Sequence, residues 1–94
     1  MRELVLTPKF KRAFRKSVRR DSRLQKRIED TLTQMQADIF APNLSSHKLS
    51  GRLLGLWACS CGYDCRIVFM IEQNENNGEE VIILVDIGTH DEVY

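Results

Sequence analysis

Two stretches in the first half of the chain carry apolar residues at helical spacing. The first begins at Thr7-Pro8, where a hydroxyl that can cap a helix precedes a proline at the first helical position. Its apolar stripe recurs every three to four residues, at Phe10, Ala13, Phe14 and Val18. The pattern predicts an amphipathic helix that ends near Arg19 or Arg20.

The second stretch follows Asp21, which is a favourable N-cap residue. Its stripe consists of Leu24, Ile28, Leu32 (or Thr31), Met35 and Ile39. Pro42 and Asn43 then stop the helix. Because almost no chain separates the two stretches, they predict an antiparallel helical hairpin.

Segments rich in β-forming residues lie on both sides of this hairpin. They span residues 2–6, 52–60, 63–72 and 81–87. A polar connector at 44–51 leads into the second segment, in which Gly55 marks a bulge. The order β-α-α-β-β-β predicts a two-layer α+β domain with an N-terminal strand, the hairpin on one face of the sheet, and a three-stranded antiparallel meander. The other face of the sheet is left for function.

The segment 81–87 is an unbroken apolar run, which predicts a buried central strand. Gly88 then frees the backbone to turn. The strand would deliver a group of reactive side chains to the sheet edge, namely Thr89, His90, Asp91, Glu92 and Tyr94. In 63–72, side chains alternate between faces, which predicts that Asp64 and Arg66 share one face. A surface tail with an exposed histidine is the alternative interpretation of the C-terminal group.

Length and composition indicate one soluble domain spanning residues 1–94. The chain is 43% hydrophobic and 29% charged, and no stretch approaches the roughly 18 consecutive apolar residues of a membrane span. The N-terminus lacks the apolar region of a secretory signal. We therefore expect a cytoplasmic protein without a membrane partner.

Charge is distributed unevenly, although the net charge is only +1. Residues 1–30 contain eleven cations and four carboxylates, a net charge of +7, and the remaining residues contain three cations and nine carboxylates, a net charge of −6. This asymmetry predicts a basic surface for a polyanion or an acidic partner. Two solvated helix faces are the alternative.

Three cysteines, Cys59, Cys61 and Cys65, lie close together. Their odd number, without a secretory signal, predicts reduced thiols that pack as small side chains. A zinc site would need a fourth ligand, for which only His47 or His90 is available, and the spacing is not that of paired zinc ligands. We expect no metal and no cofactor.

Three motifs together resemble the RelE/ParE superfamily of bacterial toxins from toxin–antitoxin modules, and its YafQ branch in particular. They are His47-Lys48-Leu49-Ser50-Gly51, Asp64-x-Arg66-Ile67-Val68-Phe69 and Gly88-Thr89-His90-Asp91-Glu92-Val93-Tyr94. The resemblance covers essentially the whole chain, because the order of strands and helices also agrees.

The resemblance implies an mRNA endonuclease that acts in the ribosomal A site and is neutralised by a tightly bound antitoxin. It implies site roles for His47, Asp64, Arg66, His90 and Tyr94. The cations that would bind RNA and the ribosome are Lys9, Lys11, Arg12, Arg15, Lys16, Arg19, Arg20, Arg23, Lys26, Arg27, Lys48 and Arg52. Three positions depart from the YafQ pattern: this chain has Ser60 where the pattern has a histidine, Cys65 where it has a tryptophan, and Asp86 where it has an arginine.

The residue types suit metal-independent RNA cleavage. Such a reaction needs a base for the 2′-hydroxyl proton, an acid for the leaving 5′-oxygen and a cation for the phosphorane. Histidine suits both proton transfers because its reference pKa is about 6.5. Arg66 would bind the phosphate, Asp64 would orient a histidine or act as base, and Tyr94 would stack on a base or bond near the phosphate.

Each residue also has a structural interpretation. His47 in a polar loop would be a surface histidine, Asp64 and Arg66 would be an ion pair, and Trp57 would belong to the core. Two other functions remain open. One is a ParE-like, non-catalytic inhibitor of DNA gyrase, and the other is an inactive toxin that only binds its antitoxin, as the loss of the arginine at Asp86 would suggest.

Overall fold

The computed structural model, which describes residues 2–94, packs two long helices against one sheet of five strands. The elements in chain order are β1 (Glu3–Leu6), α1 (Pro8–Val18), α2 (Ser22–Ala37), β2 (His47–Lys48), β3 (Trp57–Ser60), β4 (Arg66–Gln73), β5 (Glu80–Gly88) and α3 (His90–Val93). The predicted α+β class and the order of the main elements are confirmed. No helix in residues 2–94 has the length and apolar character needed to cross a membrane.

Both long helices begin at the caps that the sequence predicts. Thr7 Oγ1 accepts a hydrogen bond from Phe10 N at 3.2 Å, and Asp21 Oδ1 accepts one from Leu24 N at 3.0 Å. Arg20, with φ of +61°, makes the turn between the helices. The short connection keeps α1 and α2 in contact, as expected for a hairpin.

The sheet order is β1-β5-β4-β3-β2, so β5 is an interior strand between β1 and β4, which agrees with its apolar run, and β4 is the central one. β1 pairs with β5 in parallel, and all other neighbours are antiparallel. β2 is an additional edge strand within the predicted connector, where His47 pairs with Ala58. It was not predicted because its two residues show no apolar alternation.

Two strands begin later than predicted. β3 starts at Trp57 rather than at residue 52, because 51–53 forms a 3₁₀ turn and Gly55 has φ of +93°. β4 starts at Arg66 rather than at residue 63, because Asp64 adopts the left-handed conformation with φ of +49°. The prediction that strand alternation places Asp64 and Arg66 on one face is therefore wrong, since Asp64 lies in a turn.

The core lies between the sheet and the helices. Phe10, Ile28 and Met35 from the helices are fully buried against residues such as Phe69 and Leu84 from the strands. Ala58 and Val68, a cross-strand pair, belong to the opposite face and are nevertheless only 0% and 2% exposed. The face without long helices is thus covered at its centre.

Candidate active site

The turn 61–65 between β3 and β4 is closed by a disulfide between Cys61 and Cys65, whose Cα atoms are 5.0 Å apart. A hydrogen bond from Cys61 N to Cys65 O, at 2.9 Å, joins the same ends. The prediction of three reduced thiols is therefore wrong for this pair. The odd cysteine is Cys59, which is buried as a small packing residue, and burial raises the pKa of its thiol to about 12. Within residues 2–94, no three His, Cys, Asp or Glu side chains form a group that could hold a metal ion.

Asp64 projects from this turn toward the end of β5. Its left-handed conformation is one that aspartate tolerates better than most residues. Its Oδ1 accepts a hydrogen bond from His90 N at 3.0 Å. The Asp64 carboxylate thus fixes the backbone of His90, since it contacts the backbone N–H of His90 and not its imidazole ring.

The short helix α3 holds His90 at the end of β5. Thr89 caps it, and Glu92 Oε1 accepts a hydrogen bond from Thr89 N at 2.8 Å, which completes a capping box. Hydrogen bonds from Thr89 lower the pKa of Glu92, and the charge of Lys16 adds to this effect. Gly88 was expected to free the backbone, but its φ is not positive, and a Cβ there would lie 2.9 Å from Glu92 Oε1. Glycine at this position leaves room for the Glu92 carboxylate.

His90 and Tyr94 pack against each other on α3 and the residue after it. Their rings meet edge to face, with centroids 4.6 Å apart and planes at 86°. The His90 ring is exposed, and its Nδ1 lies 3.5 Å from Asp91 Oδ1. The Tyr94 hydroxyl oxygen is buried and has no hydrogen-bond partner among the described residues. Burial raises the pKa of Tyr94, whereas the nearby charge of Arg66 opposes the shift.

Arg66 lies at the same end of the sheet, because it pairs with Gly88 across β4 and β5. Its Nη1 donates to Gly62 O at 3.2 Å and to Cys65 O at 2.9 Å. The guanidinium is half-buried and folds back on the turn. The structure therefore brings Asp64, Arg66, His90 and Tyr94 together.

His47 stands apart from this group. It lies on the edge strand β2, three strands from β5, which corresponds to roughly 14 Å at about 4.8 Å per strand. Its side chain is exposed, and Nδ1 lies 2.9 Å from Ser45 O. Because His47 pairs with Ala58, and Ala58 with Val68, it shares the sheet face of Arg66.

The positions that depart from the YafQ pattern have defined contacts. Ser60 lies opposite Arg66, and its Oγ accepts from Gly62 N at 3.3 Å, so it supports the turn. Asp86 Oδ2 lies 3.5 Å from Lys9 Nζ, and its Oδ1 accepts from Ile87 N at 2.9 Å. The carboxylate of Asp86 is thus paired with a cation of α1.

Arg52 has a role that the sequence did not reveal. Its Nη2 donates to the carbonyl oxygen of Tyr94 at 3.3 Å. The contact spans 42 residues, and no local pattern signals it. Arg52, predicted as an RNA-binding cation, holds the residue after α3 in place.

Several predicted RNA-binding cations have partners within the protein. Lys9 pairs with Asp86, Lys26 pairs with Asp30, and the Lys48 ammonium lies 5.6 Å from the Trp57 ring centroid. Eight cations of the helices and the turn between them are exposed and have no carboxylate within ion-pair distance in residues 2–94; these are Lys11, Arg12, Arg15, Lys16, Arg19, Arg20, Arg23 and Arg27. We call the first seven the basic patch. It extends along the solvent side of α1 to the first turn of α2.

Comparison with known proteins places this geometry in a family. The family model of the bacterial toxin of type II toxin–antitoxin systems, YafQ, matches residues 2–94. The chain is similar to the YoeB/ParE toxin from Agrobacterium tumefaciens, with a TM-score of 0.75 and 20% identity over 94% of this chain and 98% of that one. It is also similar to a conserved hypothetical protein from Helicobacter pylori, with a TM-score of 0.70 and 25% identity over 100% of both chains.

The E. coli DinJ–YafQ toxin–antitoxin complex contains a further similar chain, with a TM-score of 0.75 and 12% identity over 99% of this chain and 97% of that one. No curated protein sequence matches. The family match spans all of the residues that form the sheet, the helices and the candidate site, so the chain belongs to the YafQ family of bacterial toxins of type II toxin–antitoxin systems.

Proposed function

We propose that this toxin is a ribosome-dependent, metal-independent mRNA endonuclease that acts in the cytoplasm and is neutralised by a protein antitoxin. The observation that carries the proposal is the grouping of Asp64, Arg66, His90 and Tyr94 at one end of the sheet. The basic patch lies on the neighbouring helices, and the charge of Lys16 helps to lower the pKa of Glu92 on α3. Phosphate-binding cations therefore adjoin the candidate site.

The proposed reaction is cleavage by the 2′-hydroxyl. A base removes the 2′-hydroxyl proton, the 2′-oxygen attacks the adjacent phosphorus, and an acid protonates the 5′-oxygen as its bond to phosphorus breaks. The products are a 2′,3′-cyclic phosphate, which water can open to a 3′-phosphate, and a 5′-hydroxyl. The step balances without a metal ion or cofactor.

The side chains have distinct roles in this scheme. His90 serves one of the two proton transfers. His47 lies three strands from β5 on the sheet face of Arg66, too far from His90 to contact the same phosphate, and contacts the RNA chain farther along the sheet. Arg66 stabilises the phosphorane by turning its guanidinium from the carbonyls of the turn toward the phosphate. Asp64 is a positioning residue that holds His90 through its backbone N–H.

The antitoxin is inferred from the family and from its structural relatives. YafQ of E. coli is found in a complex with DinJ, and YoeB of Staphylococcus aureus in a complex with YefM. Within residues 2–94 the sheet has two edge strands, β1 and β2. The cognate antitoxin could pair a strand of its own with either edge.

Induced expression of wild type and of His90→Ala tests the proposal. The wild type should arrest growth and lower protein synthesis, and His90→Ala should do neither while it still binds the antitoxin. Full toxicity of His90→Ala would exclude the assignment of His90. Arrest by the wild type with DNA breaks and intact mRNA would indicate a gyrase inhibitor, and no arrest without antitoxin would indicate an inactive toxin.

A further inference from the structure

Tyr63 is the most exposed large hydrophobic side chain of the described residues, with 97% of its surface accessible. It sits on the turn 61–65, next to Asp64, and two backbone hydrogen bonds fasten this turn, from Cys61 N to Cys65 O at 2.9 Å and from Cys65 N to Gly62 O at 3.2 Å. An aromatic ring that is exposed on a fastened turn contributes nothing to the core. It is available to a ligand without a cost for ordering its backbone.

The turn borders a cleft of about 180 Å³ beside the candidate active site. Tyr63, Asp64, Thr89 and Glu92 line it on the side of the sheet, and Leu24 lines it on the side of the helices. Two of these residues are carboxylates, so the cleft disfavours a phosphate group. A neutral, planar group that stacks on Tyr63 is compatible with it.

Cations stand outside this cleft. The Arg27 side chain lies against the turn, because a Cβ on Gly62 would be only 2.6 Å from its Cδ. The cleft is also lined by Ser17, which follows Lys16 of the basic patch on α1. The surroundings therefore combine an aromatic face with flanking positive charge, the combination that binds single-stranded nucleic acid.

We infer that Tyr63 is a stacking platform for an unpaired nucleobase of the RNA substrate, with the flanking backbone phosphate on Arg27. The inference rests on the proposed RNA-cleaving function and adds a binding subsite to it. A protein partner is less well matched, because the other exposed large hydrophobic residues, Val5, Leu6, Phe40 and Leu54, belong to other parts of the fold.

Binding of a single-stranded RNA that contains 2-aminopurine tests the subsite. Stacking on an aromatic ring quenches this base, and the His90→Ala background prevents cleavage during the measurement. Tyr63→Ala should weaken binding by about 5- to 150-fold, the range for loss of one base–aromatic stack, and should abolish the quenching. Tyr63→Phe, which keeps the ring, should bind within about twofold of the parent.

Leu54→Ala is the control for loss of an exposed apolar side chain, since Leu54 is 80% exposed outside the site. It should not change RNA binding. If Tyr63→Ala binds RNA as the parent does, the inference is wrong, and a weakened antitoxin complex in that variant would assign Tyr63 to the protein partner. If Tyr63→Ala weakens RNA binding but the wild type cuts no mRNA, the proposed function is wrong, whereas Tyr63 remains an RNA-binding residue.

Discussion

At the scale of single residues, the contact from Asp64 to His90 N decides the shape of the candidate site, since it joins the turn 61–65 to α3. Sequence motifs single out both residues. They do not reveal that the carboxylate reaches the amide, because that depends on the left-handed conformation of Asp64, which alternation along a strand does not predict.

Asp64→Ala should lower mRNA cleavage by at least about tenfold, because it removes the carboxylate that accepts the hydrogen bond from His90 N. Alanine also tolerates the positive φ of this position less well than aspartate does. Asp64→Asn keeps both features and should retain most of the activity. Rates of cleavage in a translation extract measure the difference. Equal losses in the two variants would show that the negative charge of Asp64 takes part in the chemistry, contrary to a positioning role.

Tyr94→Phe should alter the pH dependence of folding stability. Burial raises the pKa of Tyr94, so the folded protein holds this proton more tightly than the unfolded chain does. The resulting stability is present below about pH 10 and is lost as the pH rises through the higher folded pKa. Urea unfolding at about pH 9 and 11 should therefore show a larger loss for wild type than for Tyr94→Phe.

At neutral pH, Tyr94→Phe should unfold at the same or a slightly higher urea concentration, because a buried hydroxyl without a partner costs free energy. A loss of more than about 1 kcal/mol would mean that the hydroxyl makes a stabilising hydrogen bond.

At the scale of elements, the sequence predicts those parts whose stability is local. The caps Thr7 and Asp21 and the apolar stripes predict α1 and α2 because each signal acts within one helix turn. β2 exists only through its pairing with β3, and the start of β4 depends on the turn 61–65. Neither the pairing of two strands nor the conformation of a single turn leaves a periodic pattern in the sequence.

Gly88→Ala should destabilise the junction of β5 and α3 by about 1 kcal/mol, since its Cβ would displace the Glu92 carboxylate from Thr89 N. In a Glu92→Ala background this hydrogen bond is already absent, so the same change should cost about 0.5–1 kcal/mol less. Urea unfolding of the four proteins of this cycle measures the coupling. Strictly additive effects would contradict the role assigned to the capping box.

At the scale of the whole molecule, the excess of cations in the first thirty residues forms a basic surface on the two long helices. The seven cations of the basic patch are exposed on α1, the α1–α2 turn and α2, whereas Lys9 and Lys26 are paired with carboxylates. Composition alone could not separate the free cations from the paired ones, because Lys9 meets Asp86 only in the folded chain.

Replacing Arg12, Arg15 and Arg19 by Gln should weaken ribosome and RNA binding and make it less sensitive to salt. Each phosphate contact that is lost should reduce the slope of log K against log salt by about 0.7 for single-stranded RNA. Replacing the same three residues by Lys keeps the charge and should leave the slope unchanged. An unchanged slope in the Gln variant would show that the patch does not contact RNA.

The central claim, cleavage of mRNA on the ribosome by the site around His90, is tested most directly by primer extension on a defined mRNA. The wild-type toxin should produce new 5′ ends at codon boundaries in a translation extract. It should produce none in the same extract without ribosomes, and His90→Ala should produce none in either. Intact mRNA during a full block of translation by the wild type, or equal cleavage by His90→Ala, would contradict the account.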